Sequence, residues 1–412
     1  MNIFNRSSKN LYTMLYWSLM AAFVGVVTGV VGAVFHHAIE FSTHLREENG
    51  FLLYLLPLGG VVIAFLYRLS KEPLSTNTVI DCIRKSEIAS PLMAPLIFAG
   101  TFITHLLGGS AGREGAALQI GGGIGSRIAH RLSMTKEQSG IMIACGMSGA
   151  FSAIFTTPVT ATVFALELVS VGHIRYFQML PCIISALIGY IITVTMGNEP
   201  LSYTVSLVPD ANAVSLLGVI ALGVLCALLS VIFCKTLHHT EHLLKKYIKR
   251  DYVRALLGGC AIVVLSLLVG NGDYNGAGMG VIERALSGDA FYGAFILKII
   301  FTAITIGAGF KGGEIVPAFF VGATFGAVAG PLLGLPASFC AAVALVCVFC
   351  GVTNCPLASV ILGAELFGAQ LLPFFTLGCA VSFVVSDRVG LYSSQKIVYS
   401  HTSAEKNIHY VE

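Results

Sequence analysis

Gly108-Gly109-Ser110-Ala111-Gly112-Arg113-Glu114-Gly115 opens one apolar run, and Gly309-Phe310-Lys311-Gly312-Gly313-Glu314-Ile315-Val316-Pro317 opens another about 200 residues later. Each puts a carboxylate beside glycines at the start of a segment apolar enough to lie in a bilayer. A charge at bilayer depth costs ~2.5 kcal/mol or more, so an ionisable residue there is by default a functional candidate. Its appearance twice, in matching contexts, predicts a duplicated fold with an ion site between the halves.

The rest of the chain fits a bilayer. Of 412 residues, 56% are hydrophobic and 11% charged, and the mean hydropathy is +0.83. Soluble domains carry about 25% charged residues, so this composition predicts a polytopic membrane protein. The net charge of +3 is too slight to imply a nucleic-acid partner. Polar residues with Arg6 and Lys9 precede an apolar run from Leu11 to Phe35. That run is longer than a signal-peptide core and reads as a retained first helix.

The 11 cysteines lie nearly all within apolar stretches, and no disulfide framework is evident. Cys347 and Cys350 have C-x-x-C spacing, with Cys355 nearby, but packing as small hydrophobes is favoured over a metal or redox site. His238, His239 and His242 share helical spacing, with Glu241 as the nearby carboxylate; a metal site is the less favoured reading. There is no P-loop, no H-E-x-x-H and no G-x-S-x-G elbow, so neither a nucleotide site nor an enzyme is expected.

Measured against the ~20 residues of a spanning helix, roughly ten to twelve apolar segments stand out. They lie near 11–35, 51–67, 91–107, 115–125, 140–169, 176–196, 213–234, 253–270, 291–309, 316–334, 338–364 and 371–386. Several are too short to span, and others are interrupted at Gly121 to Gly123, Pro158, Pro317 and Pro356. Such segments at corresponding places in two halves point to a transporter site. The halves can be aligned. Gly25 to Phe35 falls on Gly223 to Phe233, His44 on His242, and Pro158 with Glu167 on Pro356 with Glu365, all at an offset of 198. Gly112, Glu114 and Gly122 fall on Gly312, Glu314 and Gly322 at an offset of 200.

This divides the chain into a first membrane repeat with its amino-terminal helix, 1–212, and a second with a short tail, 213–412, forming one transport domain. The polar stretch Gly197 to Asn212 is the seam. Arg127, Arg131 and Lys136 form one basic cluster; Lys245, Lys246, Lys249, Arg250 and Arg254 form another. Both are expected on the cytoplasmic side, with Arg6 and Lys9. If Ser215 to Lys246 is one long tilted helix, the seam lies outside. The first half then crosses an odd number of times, and the two halves are inverted.

Glycines at a helix start expose backbone N–H groups, and that end carries a partial positive charge that binds anions without a full cation. Such a site is weak enough to let an anion leave again. Glu114 can occupy it as a tethered anion and swing away when protonated, or can simply pair with Arg113. Pro317 suits the first turn of a helix, where its missing N–H is harmless. Ile315 and Val316 then present main-chain N–H groups. For Glu314 a structural role as helix cap is favoured over a functional one. Glu167 and Glu365 are read as structural carboxylates in preference to proton relays.

At these residues the sequence resembles the CLC family of chloride channels and proton-coupled anion exchangers, over about residues 15 to 400. The motifs are G-R-E-G at 112–115 with Gln119 and Gly121, G-G-E-I-V-P at 312–317, and Gly390-Leu391-Tyr392-Ser393. The resemblance implies an all-α CLC-type fold of two inverted-topology repeats with broken and tilted helices, assembled as a homodimer with one pathway per subunit. It implies Glu114 as the gating and proton-carrying glutamate. Ile315 and Val316 are implied as amide donors to the central anion, with Gly112, Arg113 and Gly115 beside it, and Tyr392 as a hydroxyl donor from the cytoplasmic side. The counterpart of the family's first anion loop is Ser75-Thr76-Asn77-Thr78-Val79, with Thr76 in place of its serine; an ordinary helix cap is the alternative. Leu168 stands where proton-coupled chloride exchangers carry an inner glutamate. The G-G-S-A-G-R-E-G spelling and Glu314 are similar to the fluoride-exporting branch. That branch has a methionine at the place of Thr76 and a threonine at that of Val316.

The expected function is therefore transport of chloride or a related small anion in exchange for protons. Fluoride/proton antiport, a passive chloride channel and a scaffold or sensor with a vestigial site are the alternatives. Bound halide, protons and the lipid bilayer are the expected ligands and surroundings, with no other cofactor. The expected location is the plasma membrane, with both termini in the cytoplasm.

Overall fold

Close approach of backbones at small residues organises this fold. The computed structural model describes residues 2–70, 73–85, 87–399 and 406–411. Its helices run α1 (Asn2–Glu48), α2 (Leu56–Tyr67), α3 (Thr76–Lys85), α4 (Met93–Leu106), α5 (Glu114–Arg131), α6 (Lys136–Phe155), α7 (Pro158–Glu167) and α8 (Met179–Thr195). They continue as α9 (Ala213–Tyr247), α10 (Asp251–Val269), α11 (Met279–Leu286), α12 (Ala294–Ala308), α13 (Ile315–Leu332), α14 (Ala337–Thr353), α15 (Pro356–Phe367) and α16 (Leu372–Ser386). Among the described residues, eight helical stretches are long and apolar enough to cross a membrane; α4, α7, α12, α14 and α15 are shorter apolar helices.

The two expected runs 140–169 and 338–364 are each a pair of helices. Each second helix, α7 or α15, opens on its proline, at Pro158 and Pro356. The expected break at Gly121 to Gly123 is not there: α5 runs through it unbroken. A Cβ at Gly121 would collide with the Gly146 carbonyl of α6, and one at Gly125 with the Met142 carbonyl. These glycines let α5 and α6 cross closely, an arrangement favoured between membrane helices. The second half repeats it, with Gly322 and Gly326 of α13 against the Ala344 and Cys340 carbonyls of α14.

The same correspondence extends outward. Ser185 of α8 donates to the Cys145 carbonyl of α6 at 2.7 Å, and Ser382 of α16 to the Cys347 carbonyl of α14 at 2.8 Å. Cys350 donates its thiol to the Cys379 carbonyl as Ser148 donates its hydroxyl to the Cys182 carbonyl. Cys347 and Cys350 therefore sit in helix packing, and Cys347, Cys350 and Cys355 are free thiols.

The two halves also exchange caps. Glu167 ends α7 and accepts the N–H groups of Leu357 (3.3 Å) and Ala358 (2.9 Å) at the start of α15. Glu365 near the end of α15 accepts those of Val159 (3.1 Å) and Thr160 (2.8 Å) at the start of α7. The first turn of a helix has N–H groups without intrahelical acceptors, and a carboxylate satisfies them. Their structural reading thus has a concrete basis.

The stretch 197–212 carries no helix. It ends at Asn212, whose side chain and that of Ser215 form a reciprocal cap for the long helix α9. A small sheet adds to the helices at the carboxyl end. Strand β1 (Ser170–Val171) pairs in parallel with β2 (Lys396–Tyr399), which pairs antiparallel with β3 (Lys406–Tyr410).

Candidate functional site

Helices α5 and α13 begin facing each other. Gly112 and Gly313, just ahead of them, exchange both backbone hydrogen bonds, each at 2.7 Å, in an antiparallel bridge. There is no room for a side chain here. A Cβ on Gly313 would stand 2.6 Å from the Gly115 nitrogen, and one on Gly112 would collide with the Glu114 carboxylate. The positive ends of two helices are thereby held together inside the protein.

Glu114 lies at this junction and is only 2% exposed. Its Oε2 accepts the Arg113 N–H at 2.9 Å, and the Val316 N–H from the other half also points to its carboxylate. The Arg113 Nε is 3.9 Å from Oε1, a loose pairing. The Arg113 charge and backbone N–H groups from both halves together hold this carboxylate. A cavity of about 20 Å³ lies beside it, walled by Ile154, Phe155, Val316 and Phe319.

Two vestibules with no lining residue in common reach residues at the junction. One, of about 890 Å³, is lined by Thr76, Gln119, Lys311, Glu314 and Tyr392. The other, of about 720 Å³, is lined by Arg46, His105, Arg113 and Arg284. Glu114 reaches neither; Arg113 lines the second vestibule and Glu314 the first.

Thr76 is the first residue of α3 and is buried. Its hydroxyl accepts the Gln119 Nε2–H at 3.0 Å, which leaves its own hydrogen free for an acceptor. Tyr392 is 2% exposed, and its hydroxyl has no hydrogen-bond partner. Unpaired buried hydroxyls are uncommon in folded proteins and suggest an absent partner. Ile315 and Val316 are the first two residues of α13 and are buried. Their N–H groups have no acceptor within the helix.

Two expectations need correction. The Gly112 N–H is not open to an anion, because the Gly313 carbonyl takes it. Glu314 does not cap α13: it makes no capping hydrogen bond, and its backbone is helical (φ −94°, ψ −11°) where a capping side chain needs an extended residue. Its carboxylate turns into the first vestibule instead. Oε2 comes within 3.5 Å of the place a Cβ on Gly115 would take, and the Thr76 hydroxyl within 3.9 Å of the same place. The sequence pairs Glu314 with Glu114 by position but does not say where its side chain points. Gln119 stands in the motif, but its bond to Thr76 crosses from α5 to α3 and has no sequence signal.

Leu168 is fully buried and offers no titratable group. His238 lies on the wall of the first vestibule, with Nε2 3.4 Å from the Leu391 carbonyl. Among the described residues, no group of three or more His, Cys, Asp or Glu side chains is placed to hold a metal.

A sequence profile described as voltage gated chloride channel matches residues 59–387. The chain belongs to the CLC family. It is 30% identical over 393 residues to a chloride/fluoride channel protein of Pseudomonas syringae pv. tomato, covering 93% of this chain and 87% of that one. It is 25% identical over 408 residues to the H(+)/Cl(-) exchange transporter ClcA of Vibrio cholerae, covering 89% of this chain and 84% of that one. The crystal structure of a CLC-type fluoride/proton antiporter superposes with a TM-score of 0.90 at 30% identity, covering 94% of this chain and 99% of that one. A slow cyanobacterial Cl-/H+ antiporter shares the fold with a TM-score of 0.77 at 20% identity, over 90% of this chain and 94% of that one. The CLC chain is thus a multi-pass membrane protein and an anion transporter, built on two inverted repeats.

Proposed function

We propose that this CLC protein exchanges fluoride for protons, with Glu114 as the gate. The observation that carries the reading is the Glu114 carboxylate lying on N–H groups of both helix starts, between two vestibules. A deprotonated Glu114 fills the anion place and closes the pathway. Protonation removes its charge, weakens its hold on the N–H groups and frees the place for an anion held by Val316, Ile315, Thr76 and Tyr392. Fluoride, a small and strong hydrogen-bond acceptor, suits a site made of N–H and O–H donors with Arg113 only loosely paired beside it. The 30% identity to the fluoride/proton antiporter over nearly the whole of both chains supports this choice.

The inner proton site is Glu314. Glu167 is engaged by the start of α15, whereas Glu314 lines the vestibule beside Thr76 and Tyr392. That vestibule faces the cytoplasm, since Lys245 and Arg254 of the basic cluster between α9 and α10 line it and such clusters stay inside. The reading carries with it a plasma-membrane location, both termini in the cytoplasm, and a homodimer with one pathway per subunit.

A chloride/proton exchanger is the second reading. Thr76 and Val316 favour it, standing where the fluoride-exporting branch has methionine and threonine. Liposomes loaded with fluoride or chloride, with efflux and internal pH recorded together, decide between them. Fluoride efflux with opposed proton movement and little chloride efflux supports the first reading. Chloride efflux coupled to protons supports the second, and fast efflux of either anion without protons contradicts both.

A further inference from the structure

The segment that leads into the carboxyl-terminal sheet ties the two walls of the inner mouth together. Thr76, on one wall, opens α3; Tyr392, on the other, lies in the segment that runs into β2. Asn77, next to Thr76, accepts the Ser394 N–H on Oδ1 at 3.0 Å. Arg84, two turns further along α3, donates from Nη1 to the Ser394 carbonyl at 2.8 Å. The same guanidinium is held by Asp81 at 2.9 Å and lies over the Tyr410 ring of β3, 4.7 Å from its centroid. Both polar groups of one peptide residue, Ser394, are thus taken by a single helix.

On its other side the segment is fixed by Gln395, which is fully buried and donates to the Thr353 carbonyl at the end of α14 at 2.9 Å. Neither hydroxyl of the inner mouth is bonded to the other, and that of Tyr392 has no partner at all. The spacing of the two hydroxyls therefore depends on the backbones that carry them, and Asn77 and Arg84 join those backbones.

We infer that Asn77 and Arg84 are positioning residues of the inner gate, which clamp α3 to the Tyr392 segment and set the distance between the Thr76 and Tyr392 hydroxyls. The inference rests on the exchange reading above. With the clamp intact, an anion leaves inward only when the proton step permits. With it loosened, the mouth widens and anions slip through without protons. A bias of one hydrogen bond shifts an open–closed equilibrium by about fivefold.

The test compares Asn77→Ala, Arg84→Gln and Tyr410→Ala with the unaltered protein in liposomes, recording anion efflux and proton movement together. Tyr410 is half exposed, so its variant folds even if the other two do not. The clamp predicts faster anion efflux and a proton-to-anion ratio lowered by up to about fivefold, with Arg84→Lys restoring much of the ratio. Residues that only support the fold would lower both fluxes together at an unchanged ratio, and that result overturns the inference. If the unaltered protein itself moves no protons, the exchange reading fails. The clamp then stands or falls on anion efflux alone: faster in the variants upholds it, unchanged refutes it.

Discussion

Gly112 and Gly313 trade N–H and carbonyl with one another at 2.7 Å in both directions, and this bridge fixes the starts of α5 and α13 head to head. Two partial positive charges that would repel in isolation are held side by side. An anion between them is the natural relief, and the Glu114 carboxylate supplies one. The duplicated glycine motif thus has a mechanical reason: only residues without a side chain let these two backbones meet.

Gly313→Ala tests that reason. Its Cβ would stand 2.6 Å from the Gly115 nitrogen and 3.2 Å from that of Glu114. Overpacking of this kind costs about 1–3 kcal/mol and separates the helix starts. Anion efflux at matched incorporation should fall by about tenfold or more. Efflux at the unaltered rate would show that the bridge is dispensable.

Glu314→Gln keeps the shape of the side chain and removes its proton-carrying capacity. Proton movement should fall by at least about tenfold relative to anion flux. Proton movement at the unaltered rate, read from internal pH, would remove Glu314 from the relay.

Tyr392→Phe deletes a buried hydroxyl that has no partner in the protein. No internal hydrogen bond is lost, so the melting temperature in detergent should stay within about two degrees. Anion affinity, measured calorimetrically, should drop by about fivefold, the worth of one hydrogen bond. Unchanged affinity would place the anion away from Tyr392.

Glu167→Ala and Glu365→Ala each leave two helix-start N–H groups without an acceptor. Each should cost about 0.5–2 kcal/mol and lower the melting temperature. The proton-to-anion ratio should not move. A changed ratio would make one of them a proton carrier.

Much of this arrangement is legible in the chain. The glycine–glutamate pairs and the proline–glutamate pairs announce the repeat, because close backbone contact and helix starts restrict residue type. The long helix expected over Ser215 to Lys246 is α9, Ala213–Tyr247. What depends on side-chain direction is not legible. Glu314 has the look of a cap, but capping requires an extended backbone, and Glu314 follows the bridging Gly313 in a helical conformation. Gly121 to Gly123 read as a break because glycine weakens an isolated helix, whereas burial against α6 outweighs that weakness. The partnership of α3 with the segment leading into the terminal sheet joins residues more than 300 positions apart, as in Arg84 and Ser394, and nothing local encodes it.

The central claim is that Glu114 is at once the tethered anion and the proton carrier. Glu114→Gln in liposomes, with anion efflux and internal pH followed together, tests it most directly. The account predicts that proton movement disappears while anion efflux persists. Proton movement that continues in this variant would contradict it.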